Sequence, residues 1–237
     1  MVTKPPNTDE FTGSLEALPT PQAPLGISGQ AILPEAKLAD LPEKLQQGAA
    51  RAGWPELMPV QAKAIPYLFA QRDMMIQSRT GSGKTGAYLL PIIEMINPLE
   101  QDTQALVLVP TRELAHQVSS EADILGQETG VRNVAVYGGV GYGYQLEAFK
   151  AGAHLVIGTP GRILDHMMRR SLSLGHLKFL VFDEADRMLS MGFYPDMIKI
   201  RKYIPANRII SGMFSATFPP QVIRLADQFL RKSKLLS

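Results

Sequence analysis

Six short apolar runs punctuate the chain: Met74–Gln77, Ala105–Val109, Asn133–Tyr137, Leu155–Gly158, Phe179–Phe182 and Ile209–Phe214. Between them apolar residues recur at helical spacing, near Thr85–Ile96, Arg112–Gly126, Tyr144–Ala151, Gly161–Arg170, Phe193–Ile204 and Pro219–Leu230. Strand-length runs alternating with helix-length ones predict an α/β fold, a mainly parallel sheet with helices on both faces. Ahead of the first run, Leu38, Leu41, Leu45 and Ala49 share one helical face between Glu35 and about Gly53. Pro59 then opens a second short helix, with proline in its first turn.

The polar residues sharpen this picture. Ser78–Thr85, Pro110–Ala115, Gly138–Gly139, Thr159–Arg162, Asp183–Asp186 and Ser215–Thr217 each follow the end of an apolar run. In a doubly wound parallel sheet those strand ends share one edge, where ligands bind. The six clusters therefore predict one site, or two adjacent ones.

Residues 1 to about 34 differ in kind. Pro5, Pro6, Pro19, Pro21, Pro24 and Pro34, with Gly13, Gly26 and Gly29 between them, exclude a regular helix or central strand. A flexible or loosely draped extension is expected there, with one domain over 35–237.

The first cluster carries the most chemistry. Ser78-Arg79-Thr80-Gly81-Ser82-Gly83-Lys84-Thr85 stands between a strand and a helix, the context of a phosphate-binding P-loop. Glycines allow a turn tight enough to point successive N–H groups at an anion, and the helix adds its positive end. Lys84 would reach the β- and γ-phosphates, and the Thr85 hydroxyl would ligate Mg²⁺. Ser78 stands where the usual pattern has glycine.

Asp183, Glu184 and Asp186 end the fifth run. Asp183 is placed to hold Mg²⁺, and Glu184 to orient or deprotonate an attacking water. Without a cation, three such close carboxylates repel one another. Read alone, the cluster also fits a solvated helix N-terminus, where acids are favourable.

Bulk properties exclude more than they assign. The 237 residues suffice for one large α/β domain, 45% are hydrophobic, and the net charge is +2. A basic nucleic-acid surface would have to be local. The absence of cysteine removes disulfide frameworks, zinc knuckles and thiol nucleophiles. His116, His154, His166 and His176 lack metal-ligand spacing. No targeting signal or membrane-length run is present, so the expected compartment is cytoplasmic, with no membrane partner.

Together these residues resemble the DEAD-box ATP-dependent RNA helicases. Asp183-Glu184-Ala185-Asp186 spells the family name, and Ser78–Thr85 resembles its motif I, where the first residue is usually alanine. Pro110–Ala115 resembles motif Ia, Gly138-Gly139 the double-glycine element, Thr159–Arg162 motif Ib and Ser215–Thr217 motif III. Gln61, with Gly53 and Pro59 ahead of it, resembles the Q motif. The likeness runs from about residue 36 to the end and implies a RecA-like P-loop fold.

That resemblance implies roles. Lys84, Asp183 and Glu184 would be catalytic. Gln61 and the stretch Ser78, Arg79, Thr80, Gly81, Ser82, Gly83, Lys84 and Thr85 would bind ATP, with Mg²⁺ on Thr85 and Asp183. Gln61 would read adenine through its donor and acceptor edge. The family usually stacks an upstream aromatic on the base; this chain has Ala36 there, leaving Trp54 or a residue of the proline-rich arm to supply that face. Ser215 and Thr217 would couple to Asp186, or cap the following helix. Thr111, Arg112, Gly139, Thr159, Gly161 and Arg162 would face the RNA backbone, independent of sequence. Arg112 and Arg162 could instead bridge carboxylates such as Glu113 or Asp165. Arg169-Arg170 and Arg201-Lys202 read as solvated faces.

Family members pair two RecA-like domains, and Arg231–Ser237 falls about where the resemblance would place the beginning of the interdomain linker. The resemblance therefore implies an ATP-binding half, monomeric as a fragment and a very weak ATPase without a second domain in cis. An RNA clamp released by hydrolysis would need the same residues as an unwinding enzyme. A DNA translocase fits the motif II tetrad and Gln61 less well.

Overall fold

The computed structural model describes residues 32–79, 81–231 and 233–236. The proline-rich arm up to residue 31 and Thr80 of the glycine-rich turn lie outside the described residues. Strands β1 (Met74–Gln77), β2 (Ala105–Leu108), β3 (Asn133–Val136), β4 (Leu155–Gly158), β5 (Phe179–Asp183) and β6 (Ile210–Ser215) fall on the six apolar runs to within a residue. The helices are α1 (Glu43–Arg51), α2 (Pro59–Phe69), α3 (Lys84–Met95), α4 (Arg112–Gly126), α5 (Gly143–Lys150), α6 (Pro160–Met168), α7 (Ala185–Ser190), α8 (Tyr194–Ile200) and α9 (Pro220–Phe229).

A seventh strand, β7 (Lys234–Leu236), lies beyond the six apolar runs. It pairs in parallel with β1, Met74 opposite Lys234 and Ile76 opposite Leu236. Pairing there satisfies backbone groups that β1 would otherwise leave open at an edge. The sheet order is β3-β4-β2-β5-β6-β1-β7 and all six pairings are parallel.

Alternation along β5 shows how the sheet is covered. Phe179 and Val181 join a core with Leu89, Ile92 and Leu125 of α3 and α4. Leu180 and Phe182 face the other way, onto Met167, Met188, Met197 and Leu225 of α6 to α9. A strand buried on both faces must be apolar at every position, which is why β2, β4 and β5 read as continuous runs.

Two prolines reshape the N-terminal helices. The single helix expected from Glu35 is split into a 3-10 turn, Leu38–Asp40, and α1. Pro42 excludes helical backbone at Leu41, which is extended at φ −81°, ψ 156°. Pro66 sits inside α2 and has no N–H for the Ala62 carbonyl. That carbonyl accepts the N–H of Ala36 at 2.9 Å, which fastens the entering chain to α2. Leu33 already packs on the domain and donates its N–H to the Tyr67 hydroxyl at 3.2 Å, so the packed domain starts slightly earlier than residue 35.

At the opposite edge from the polar clusters, Asp73 joins three segments. It is buried, and its carboxylate accepts the N–H groups of Ser211 at 3.0 Å and Arg231 at 2.6 Å. Asp73→Ala leaves both donors unpaired, so the domain should lose about 2–3 kcal/mol in urea unfolding. Asp73→Asn, which keeps one acceptor oxygen, should lose less.

Candidate functional site

Parallel pairing places every polar cluster on the edge formed by the carboxyl ends of the strands. The sheet order then sorts them. β5, β6 and β1 are neighbours and carry Asp183–Asp186, Ser215–Thr217 and the glycine-rich turn. β3, β4 and β2 are neighbours and carry Gly139, Thr159–Arg162 and Thr111-Arg112. One edge therefore holds two adjacent sites.

In the first half, Gly81 and Gly83 adopt left-handed backbone, with φ +79° and +87°. A Cβ on Gly83 would lie 2.5 Å from Met58 Sδ and 2.9 Å from Gln61 Nε2, so no larger residue fits without displacing both. Ser78 donates its N–H to the Ser215 carbonyl at 3.0 Å, and its hydroxyl meets that of Ser82. Ser82 also donates to the Arg79 carbonyl at 2.7 Å. Lys84 is buried, its ammonium 3.1 Å from the Ser78 carbonyl. These bonds draw the turn around its own lysine.

Gln61 is buried and tied at both ends of its amide. Its Oε1 accepts the Met58 N–H at 2.9 Å, and its Nε2 donates to the Gly83 carbonyl at 3.1 Å. The structure thus places this side chain on the glycine-rich turn; one lone pair and one N–H remain for a base. Trp54 lies over the start of α3, against Gly86. Ala36 sits on the core side of α2.

Asp183 is 2% exposed at the tip of β5. Its Oδ2 accepts the Tyr88 hydroxyl at 2.8 Å, and its Oδ1 is buried without a partner. Burial pushes its pKa up, Lys84 and the Tyr88 bond pull it down, and Glu184 pushes it up again; the net direction is upward. Such a carboxylate fits a cation. Among the described residues no cluster of three His, Cys, Asp or Glu could hold a metal unaided. A cation here would need ligand oxygens besides the protein's.

Glu184 departs from ordinary backbone, at φ 53°, ψ 51°, immediately before α7. A non-glycine residue there costs about 1–3 kcal/mol, and such strain clusters at functional positions. Its carboxylate pairs with Arg187 at 3.2 Å. Asp186 turns towards β6: its Oδ2 accepts the Thr217 hydroxyl at 2.7 Å and N–H at 3.0 Å, and its own N–H donates to Ser215 Oγ at 3.1 Å. Burial pushes the Asp186 pKa up, but the Thr217 and Ser215 hydrogen bonds prevail and hold it below the usual carboxylate range.

A cavity of about 610 Å³ is lined by Trp54, Gln61, Gly83, Lys84, Thr85, Glu121, Asp183 and Glu184, among others. That size suits a nucleotide-class ligand. A second cavity, of about 580 Å³, is lined by Lys84, Glu184, Asp186, Arg187 and Thr217. Lys84, Glu184 and Arg187 line both.

Two residues in this half carry no motif. Tyr88 lies one helical turn beyond Lys84, a spacing that could have exposed it. Glu121 projects from α4 in the stripe Leu114, Gln117, Glu121, all three lining the first cavity. Burial, and then repulsion from Asp183, raise the Glu121 pKa to about 7.

In the second half, Thr111 caps α4, accepting the Leu114 N–H at 3.2 Å. Arg112 is exposed and lies over the Tyr137 ring at 5.0 Å. Gly139 is left-handed, φ +81°, with open space beyond it. Thr159 precedes α6, and Gly161 stands in its first turn. Arg162 does not bridge Asp165: it donates to the Val140 carbonyl at 2.7 Å and lies 4.3 Å from the Tyr142 ring, with Nη1 buried and unpaired. Asp165 is bound by Arg169 at 2.9 Å and by the Tyr142 hydroxyl. Arg169, expected on a solvated face, stacks on Tyr142 from 4.5 Å, so one ring faces two guanidinium groups.

A parallel sheet that gathers glycine-rich and acidic strand ends on one edge defines a RecA-like α/β domain. Comparison with known proteins narrows the class: residues 58–225 match the DEAD/DEAH box helicase family, and the chain belongs to that family. It is 44% identical over 196 residues to the ATP-dependent RNA helicase CshA of Listeria monocytogenes, covering 83% of this chain and 38% of that protein. It is 42% identical over 191 residues to the ATP-dependent RNA helicase DeaD of Haemophilus influenzae, covering 80% and 31%. A DEAD box protein crystal structure from the hyperthermophile Methanococcus jannaschii superposes with a TM-score of 0.80 at 34% identity, over 85% of this chain and 56% of that one. The chain thus spans about two fifths or less of the length of these two curated relatives.

The raised Glu121 pKa has a measurable consequence. From its ordinary value of 4.5 to about 7, folding requires the carboxyl to hold its proton more tightly than the unfolded chain does. The resulting destabilisation is absent below about pH 4.5, grows as pH rises, and is complete above about 7. Glu121→Gln removes it, so the variant should melt a few degrees above the parent at pH 8 and by a smaller margin at pH 5.

Proposed function

We propose that this domain binds ATP with Mg²⁺ in the first cavity and RNA across the β3-β4-β2 half of the same edge, as part of an ATP-dependent RNA helicase. The observation that carries the nucleotide reading is Asp183: a buried carboxylate with one unpartnered oxygen, facing a cavity shared with Lys84 and Thr85. Binding polyphosphate there would replace the Ser78 carbonyl as the partner of the Lys84 ammonium. Ser78, Arg79, Gly81, Ser82 and Gly83, with Thr80, supply the turn whose N–H groups suit phosphate oxygens. The left-handed glycines, with a Cβ-sized gap already filled at Gly83, support that assignment.

In this reading Thr85 and Asp183 would hold Mg²⁺, which would supply positive charge beside the phosphates. Glu184 is the base or orienting group for water, and its strained backbone aims it from the tip of β5. Gln61 reads the base from its seat on the glycine-rich turn. Asp186, bound by Ser215 and Thr217, ties that strand tip to β6 and couples it to movement there. Thr111, Arg112, Gly139, Thr159, Gly161 and Arg162 offer small hydroxyls, open glycines, helix starts and guanidinium groups. Such features suit phosphates and 2′-hydroxyls rather than base edges.

The length of the relatives supports a second RecA-like domain in the same polypeptide, closing over the edge that carries both halves. A monomeric, cytoplasmic protein fits this reading. Among the described residues no helix is long and apolar enough to cross a membrane.

Lys84→Ala should abolish the rise in melting temperature that Mg²⁺-ATP gives the parent; an unchanged rise would refute the nucleotide assignment. Glu184→Gln, made in a polypeptide that includes the second domain, should keep ATP-induced stabilisation. Its RNA-stimulated hydrolysis should fall by about 10²–10⁴-fold, the usual share of a general base.

A further inference from the structure

Tyr88 is a fully buried tyrosine whose hydroxyl meets the side chain of Asp183, a residue that lines the first cavity. It belongs to α3, four residues after Lys84, and so shares a helix face with it. The ring is held edge-on against Phe214 of β6, centroids 5.1 Å apart at 67°. Core packing alone would be served as well by phenylalanine. The hydroxyl instead donates to Asp183 Oδ2 at 2.8 Å.

This places one buried hydroxyl on a carboxylate assigned to the cation. A carboxylate turns easily about its last torsion, which is broad and two-fold. Tyr88 removes that freedom by engaging one oxygen, and the other oxygen, Oδ1, is left buried and unpaired. We infer that Tyr88 is a positioning residue for the metal–nucleotide site: its hydroxyl pins Asp183 Oδ2, so that Asp183 Oδ1 is the oxygen presented to the divalent cation. The inference rests on the Mg²⁺-ATP reading above and adds a residue outside the recognised motifs.

Burial drives the Tyr88 pKa well above its ordinary range, so the phenol stays a donor at every working pH. The arrangement resembles the outer hydrogen bonds that orient metal ligands elsewhere, whose loss lowers metal affinity by about 10–100-fold.

Tyr88→Phe keeps the ring and its packing and deletes only the hydroxyl. In calorimetric titrations of the 237-residue chain with ATP, the parent should bind more tightly with Mg²⁺ than with EDTA. The variant should lose about 10-fold in the Mg²⁺ titration and little in EDTA, and should need more Mg²⁺ for half its maximal binding. In an Asp183→Asn background, Tyr88→Phe should change Mg²⁺-dependent binding no further, because the pair acts as a unit. A variant that melts lower yet keeps the parent's Mg²⁺ dependence would show a hydroxyl that only stabilises the core, and would overturn the inference. Failure of the parent itself to bind ATP would overturn the nucleotide reading, a distinct result.

Discussion

Everything functional in this domain depends on one constraint: all the strands run the same way. A parallel neighbour cannot be reached by a tight turn, so each strand must be followed by a crossover, here mostly helical, back to the opposite edge. The chain therefore makes its strand-to-helix turns on a single edge, and polar residues placed there meet whatever their distance in sequence. Strand order does the rest. Because β1 lies between β6 and β7 while β2 lies between β4 and β5, the first crossover skips two strands and divides the edge into two adjacent halves.

Within the half formed by β5, β6 and β1, several groups are held away from their relaxed states. Asp183 is desolvated with one oxygen unpaired, Glu184 takes left-handed backbone, and Glu121 keeps a carboxyl where charge is unfavourable. Ordered surroundings lie close by: Tyr88, packed on Phe214, beneath Asp183, and the β6 hydrogen bonds that hold Asp186 two residues beyond Glu184. A cation and a polyphosphate would relieve the first and third by supplying the opposite charge or a proton partner.

Much of this was legible in the sequence, for a physical reason. Strands buried on both faces cannot hide their apolar runs, so six of the seven were visible; β7, at an edge and three residues long, left no such trace. Helix periodicity over Leu38, Leu41, Leu45 and Ala49 was real, but it overrode the local veto of Pro42. Motif residues announced Lys84, Asp183 and the Asp186 partners by type and spacing. Their surroundings did not show: Tyr88 reads as one more apolar position in α3, Glu121 as one more surface acid in α4, and the stacking of Arg162 and Arg169 on Tyr142 needs α6 brought against the start of α5. Sequence names the groups that act; only packing reveals the groups that aim them.

The ion pair between Glu184 and Arg187 also acts as a partition, since both residues line both cavities. Arg187 is exposed, and a bridge of this kind holds by about 1 kcal/mol or less. The boundary the two cavities share is therefore made of side chains rather than packed backbone, and it is held no more tightly than any exposed ion pair.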